Sequence, residues 1–347
     1  MPNADLTAGQ RTSEKRQTVA QENAGSGSLL QTTFPVLPAH EFHNDEHLLM
    51  GHSCYPTTLG HTLVLIKSGT DLFSLPPDAF VDVLTKIAAA ASALCRHYKV
   101  ERCALVTEGG SSLSLLPLHG LNPDWKPITS DMKEFHSQFP GYMPPINGPT
   151  MTDDKLDAIS VKIRAFSGAA ELFDYHFDGP EDDRNLFSRI VRGEVQQWRA
   201  WENARHVAFL TPFANTPGFT VLVPRKHLPS NIFSITGQPF SELMEAAYRV
   251  AGCLKEAFGV RRCGMIFEGF EIDYAHVKLI PIHDTHVAAD GSPAALLGNL
   301  LVAPFEKIYQ GRVTSLNGPP CHDLESLSCA THAMRGLYAA EVAARSL

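Results

Sequence analysis

Residues 267–283 read FEGFEIDYAHVKLIPIH, and within them Tyr274, His276 and Lys278 alternate with Ala275, Val277 and Leu279. A strand has a side-chain period of two, so the three polar groups share one face and the apolar ones pack behind them. Pro281 and a second histidine, His283, follow. The pattern predicts a β-strand that presents an imidazole between a phenol and an ammonium.

Working outward, the same landmarks occur twice. GHTLVLIKSGTDLFSL from Gly60 parallels GFTVLVPRKHLPSNIFSI from Gly218. Each leads into a stretch with apolar residues three and four apart, such as Phe240, Leu243, Met244, Ala247 and Val250, which predicts an amphipathic helix. ERCALVTEGG and RRCGMIFEGF come next, then LLPLHGL and LIPIHDT. The tails match too: FHSQFPGYMPPINGP from Phe135 and FEKIYQGRVTSLNGP from Phe305. Shared landmarks in one order over so long a span predict an internal duplication. Each copy reads as strand, strand, helix, strand, strand, which is α+β with a largely antiparallel sheet. The expected organisation is a disordered tail over 1–32, a first domain over 33–166, a linker over 167–184 and a second domain over 185–347. The two copies pair as an intramolecular pseudo-dimer, with a homodimer through the second copies as the competing arrangement.

The chain has 347 residues, 44% hydrophobic and 19% charged, with a net charge of −8. That describes a globular protein with ample core and no basic surface for nucleic acid. Seven scattered cysteines argue against a disulfide framework. No apolar run approaches the roughly 20 residues of a membrane span, and the N-terminus has no apolar signal core, so the expected location is the cytoplasm. His276, His283 and His286 match no strong metal spacing, and neither metal nor cofactor is expected.

Residues 185–283 resemble a histidine-triad (HIT) domain. The stretch NLFSRIVRGEVQQWRAWENARHVAFLTPFANTPGFTVLVPRKH follows that family's opening segment, and Tyr274-Ala-His276-Val-Lys278-Leu-Ile stands at its H-x-H-x-H strand. Residues 40–120 look like a diverged second example. Lys278 and the tails are similar to a microbial subgroup whose strand reads H-x-H-x-K. Two copies in one chain are also similar to the galactose-1-phosphate uridylyltransferase and dinucleotide-phosphorylase branch.

The resemblance implies that His276 attacks a phosphorus next to a nucleoside and carries a covalent nucleotidyl group, which water or another acceptor resolves. It implies that Lys278 stabilises phosphoryl charge and that Tyr274 assists the leaving group. Arg225, Lys226 and His227 end the neighbouring strand and are expected to meet phosphate, with His283 orienting the site. The family's ribose-binding carboxylate falls on Thr211, the histidine after its P-G on Phe219, and the asparagine before its E-G on Phe267. Its zinc-binding cysteines, found in some members, fall on Asn185 and Ser188, so no structural zinc is expected. In the first copy the nucleophile position falls on Ser112, so at most one half is catalytic. Two classes of function stay open: a nucleotide hydrolase or nucleotidyltransferase acting on a phosphoanhydride or phosphoramidate, and a catalytically silent binding or scaffold protein. Phe219 and Phe267 also leave room for a specialised-metabolism enzyme with a non-nucleotide substrate.

Overall fold

The computed structural model describes residues 36–128, 131–144, 146–168, 172–283 and 301–345. The tail expected over 1–32 and His286 lie outside the described residues. The N-terminal half opens with β1 (Glu41–Asn44), β2 (Leu48–His52) and β3 (Thr62–Ile66). Helix α1 (Pro77–Tyr98) follows, then β4 (Cys103–Thr107) and β5 (Ser112–Pro117). The C-terminal half repeats this as β6 (Trp198–Glu202), β7 (His206–Leu210), β8 (Thr220–Pro224), α4 (Gln238–Phe258), β9 (Arg262–Phe267) and β10 (Val277–Ile282). Each half therefore has one strand more than the repeat predicts. That strand, β1 or β6, carries a bulge that breaks the simple alternation, between Glu41 and His43 in one half and between Arg199 and Trp201 in the other.

The ten strands among the described residues form one antiparallel sheet in the order β1-β2-β3-β5-β4-β9-β10-β8-β7-β6. The halves join through β4 and β9, where Val106 faces Ile266, Leu105 faces Phe267 and Thr107 faces Met265. Val106 and Ile266 are equivalent positions of the repeat, and so are Leu105 and Met265. Thr107 and Phe267 are equivalent as well, so Leu105 facing Phe267 is matched by its counterpart Met265 facing Thr107, and Val106 faces its own counterpart, which is the pairing rule of a twofold interface made within one chain.

One face of the sheet is covered by α1 and α4. Phe80, Val83, Leu84 and Ile87 of α1 are buried there, as are Phe240, Leu243, Met244 and Val250 of α4. They pack on Leu105, Leu115, Val277 and Leu279 in one continuous core. Pro stands in the first turn of both helices, where its missing N–H costs nothing.

The tails explain why N-G-P recurs. Each tail leaves its own half and lies on the other. The first tail bonds the C-terminal half through His136 N–H to Asn215 O (2.8 Å), Phe139 N–H to His283 O (3.1 Å) and Gly148 N–H to Phe213 O (2.9 Å). The second bonds the N-terminal half at the matching places: Glu306 N–H to Thr57 O (2.8 Å), Tyr309 N–H to His119 O (2.9 Å) and Gly318 N–H to Tyr55 O (2.9 Å). A Cβ on Gly148 would stand 2.0 Å from the Ala214 carbonyl oxygen, and one on Gly318 would stand 1.9 Å from that of Pro56. Only glycine lets the two backbones approach so closely.

Two helices that the apolar periodicity does not announce end this exchange. Helix α2 (Asp153–Arg164) packs on β6 and α4, and α5 (Leu324–Arg345) packs on α1 and β1. Among the described residues, no helix is long and apolar enough to cross a membrane. Before α3 (Leu186–Val191), the described residues 172–185 carry no helix or strand, yet they are pinned: Asp174 O accepts from both Arg199 (2.6 Å) and Arg225 (2.8 Å).

Candidate functional site

The face of the sheet opposite α1 and α4 carries the polar residues of the opening motif. Val277 and Leu279 belong to the helix-side core, while Ile280 and Ile282 pack on the other face with Phe139, Met143 and Tyr309 from the tails. His276 and Lys278 share the parity of Ile280 and so face that second side. The backbone ladder of β10 begins at Val277, so Tyr274 and His276 sit in the approach to the strand.

His276 is 5% exposed. Its Nδ1 lies 2.8 Å from the Tyr274 carbonyl oxygen. A carbonyl only accepts, so Nδ1 carries the proton and Nε2 keeps the lone pair. Burial, with the Lys278 ammonium adding to it, pushes the His276 pKa down to about 4 against the opposing pull of the Tyr274 carbonyl. The ring is neutral at pH 7. Phe187 of α3 meets it edge-on with centroids 5.3 Å apart.

Lys278 donates to Glu268 at 3.2 Å, and Glu268 also accepts from the Tyr309 hydroxyl. The carboxylate is 10% exposed and the lysine side chain 25%. Burial, and then the neighbouring Glu268, raise the pKa of Tyr309 far above the usual phenol value, so it stays protonated and donates. Lys278 and Glu268 line a cavity of about 220 Å³. Phe219 and Asn215 close one side, and Lys133 and Arg312 bring two further cations from the two crossing tails.

Several sequence-predicted residues stand elsewhere. Arg225 is fully buried and is not a phosphate contact. Its guanidinium is held by Glu202 at 3.1 Å and by the carbonyls of Asn203, Asp174 and His176 at 2.8–2.9 Å. Such a charge is kept inside because it is fully paired. Phe267 points to the helix side, against Phe233, and so lies on the wrong face for the pocket. Tyr274 is also committed inward: it has no exposed surface, and its hydroxyl donates to Pro224 O at 2.7 Å. Burial raises its pKa, which removes it as a proton donor to a leaving group.

His227 stacks on the Tyr274 ring at 4.6 Å and bridges Asp183 (2.8 Å) to Asp273 O (2.7 Å), so it fastens a loop. The Thr211 hydroxyl oxygen is taken up by the Phe213 N–H at 3.2 Å. Lys226 lies exposed in the turn after β8. His283 donates to Pro217 O at 2.9 Å, and its counterpart His119 does the same to Leu59 O at 2.8 Å, which marks a shared structural role.

The sequence reading misses Glu268, Asn215, Lys133 and Arg312 as pocket residues. Glu268 carries a signal in the repeated Glu-Gly, which reads as a turn. Lys133 and Arg312 carry none, because the tail exchange alone brings them there.

No protein-family model matches the chain. An uncharacterised HIT-like protein of Saccharolobus solfataricus is 31% identical over 101 residues, which is 28% of this chain and 72% of that protein. A solved member of the HIT family from Bacillus subtilis is 19% identical, with 34% of this chain and 92% of that chain covered and a TM-score of 0.28. A solved uridylyltransferase is 12% identical, with 85% of this chain and 87% of that chain covered and a TM-score of 0.45.

Proposed function

The chain belongs to the HIT-like proteins, and from that premise we propose that it is a hydrolase or transferase acting on a small phosphorylated substrate, a nucleotide first of all, through His276. The substrate's phosphate lies toward Lys278, Lys133 and Arg312. Nε2 of His276 attacks phosphorus, an N–P bond forms, and the bond from phosphorus to the leaving group breaks with its electron pair. Water or a second acceptor then breaks the N–P bond and restores the free imidazole. The observation that carries this reading is the tautomer of His276: Nδ1–H is fixed on the Tyr274 carbonyl, which leaves the lone pair of a neutral ring on Nε2, two residues along the chain from Lys278. Lys278 acts as a point charge whose position Glu268 fixes, and Tyr309 holds Glu268 in turn.

A second reading, binding without turnover, is favoured by the burial of His276 beneath Phe187. One experiment separates them. Adenosine phosphoramidate, diadenosine polyphosphates and nucleotide sugars are incubated with the wild type and with His276→Ala, and released mononucleotide is resolved by ion exchange. Intact-mass measurement of acid-free samples seeks the nucleotidyl adduct. Release and adduct from the wild type alone support the nucleophile. Tight binding of a nucleotide by both proteins, with release by neither, supports the second reading and ends the first.

A further inference from the structure

The twofold arrangement offers an internal control for every cavity. Where the first tail crosses the C-terminal half, Phe139, Met143, Pro144, Ile280, Pro281 and Ile282 close around a void of only about 10 Å³. The equivalent residues in the other half are Tyr309, Val313, Thr314, Leu116, Pro117 and Leu118. They line a cavity of about 310 Å³. The backbone plan and the crossing tail are the same, yet one place is filled and the other open.

The side chains supply the reason. Met143 fills space that the shorter Val313 leaves. Phe139 has no polar handle, whereas the Tyr309 hydroxyl is drawn to Glu268 and its ring stacks on Trp125 at 5.4 Å. Protein interiors rarely keep voids larger than a water molecule. A mostly apolar hollow near 300 Å³ with a few polar groups has the dimensions of a ligand site. Glu134 and Glu306 stand in its wall against the single guanidinium of Arg312, so the local charge is acidic.

We propose that the N-terminal half holds a second small-molecule site in this cavity. It takes a compact aromatic or branched-alkyl body that carries an amine, with the ammonium directed to the acidic wall. His276 does not line this cavity, although Arg312 and Val313 stand in the wall it shares with the pocket at Lys278.

Titration calorimetry on the full chain tests this with three probes that share one ring system: tryptamine, indole and indole-3-propionate. The expected result is one tryptamine per chain, indole weaker by about tenfold, and the propionate weakest. Val313→Met, which installs the residue of the filled half, and Thr58→Trp, which enters from the rim, each weaken tryptamine by about tenfold or more. His276→Ala leaves tryptamine binding unchanged. No saturable binding of any probe overturns the proposal, as does binding that both filling variants leave intact. Tightest binding of the propionate overturns the assignment of the ligand's charge.

Discussion

At the hairpin that opens each half, Asp45 and Asn203 do the same work. The Asp45 carboxylate accepts from the N–H groups of His47 and Leu48, and the Asn203 amide oxygen accepts from those of Arg205 and His206, all at 2.7–2.8 Å. One strand later the halves part. Lys67 ends β3 as an exposed cation that reaches Asn44 and the Asp45 carbonyl. Its counterpart Arg225 ends β8 with no exposure at all and ties together Glu202, Asn203, Asp174 and His176. The backbone plan is shared, but the C-terminal half has anchored its edge with an internal ion network. Glu202 gathers Arg199 and Arg225 at 3.1 Å and Arg164 from the exchanged helix α2 at 3.7 Å. A turn needs only one acceptor in the right place, so it tolerates either residue. A buried charge needs every donor satisfied, so it marks one half as different.

The largest expected effect tests this contrast. Arg225→Met should cost about 3–5 kcal/mol, because buried acceptors lose their donors. Lys67→Met should cost less than about 1 kcal/mol, as exposed pairs do. Chemical denaturation midpoints of the two variants check this, and equal losses would erase the distinction.

The tail exchange, by contrast, is a point of sameness. Gly148→Ala and Gly318→Ala should each cost about 2–3 kcal/mol, since each new Cβ would meet a carbonyl oxygen that belongs to the backbone. Gly252→Ala, in α4 with open space around it, should instead stabilise by about 1 kcal/mol. Thermal unfolding of the three variants is the measurement.

Acid sharpens the comparison at the residue after each half's repeated glycine, His61 in one half and Phe219 in the other. His61 is buried, and burial, with His52 adding to it, lowers its pKa to about 3. The unfolded chain therefore binds a proton near pH 6.5 that the native chain refuses, and stability falls as pH drops from about 6.5 toward 3. His61→Phe should make that decline shallower by roughly one proton, read from denaturation midpoints against pH. An unchanged slope would mean that the buried His61 is not part of the acid response.

The smallest effect concerns the ends of the paired helices. α4 stops on Gly259 at φ +64°, and α1 stops on Lys99 at φ +54°. Glycine adopts this left-handed conformation without strain, and lysine does not. Lys99→Gly should stabilise by about 1 kcal/mol in the same unfolding assay.

Much of the plan is legible in the sequence because it is local. The period of two puts His276 and Lys278 on one face, and β10 divides Val277 and Leu279 from Ile280 and Ile282 accordingly. The helix period finds α1 and α4. What stays illegible is non-local. Arg225 reads like a basic strand end, and only the fold reveals carbonyls converging on it from residues 174–176 and 203. Alignment of a motif puts Phe267 at the pocket, but its parity in β9 turns it to the helix core. Helices α2 and α5 bury little of their surface, so their sequences carry weak apolar periodicity.

The sequence by itself determined the repeat, the α+β halves and the face that bears His276, because each follows from short-range periodicity and from the order of landmarks along the chain. Only the tertiary structure decided that the tails trade places, that Lys133 and Arg312 join Lys278 across the sheet, and that one crossing is filled while its mate is hollow. Those outcomes depend on contacts between residues far apart in sequence, and a contact of that kind leaves no mark on the local pattern of either partner.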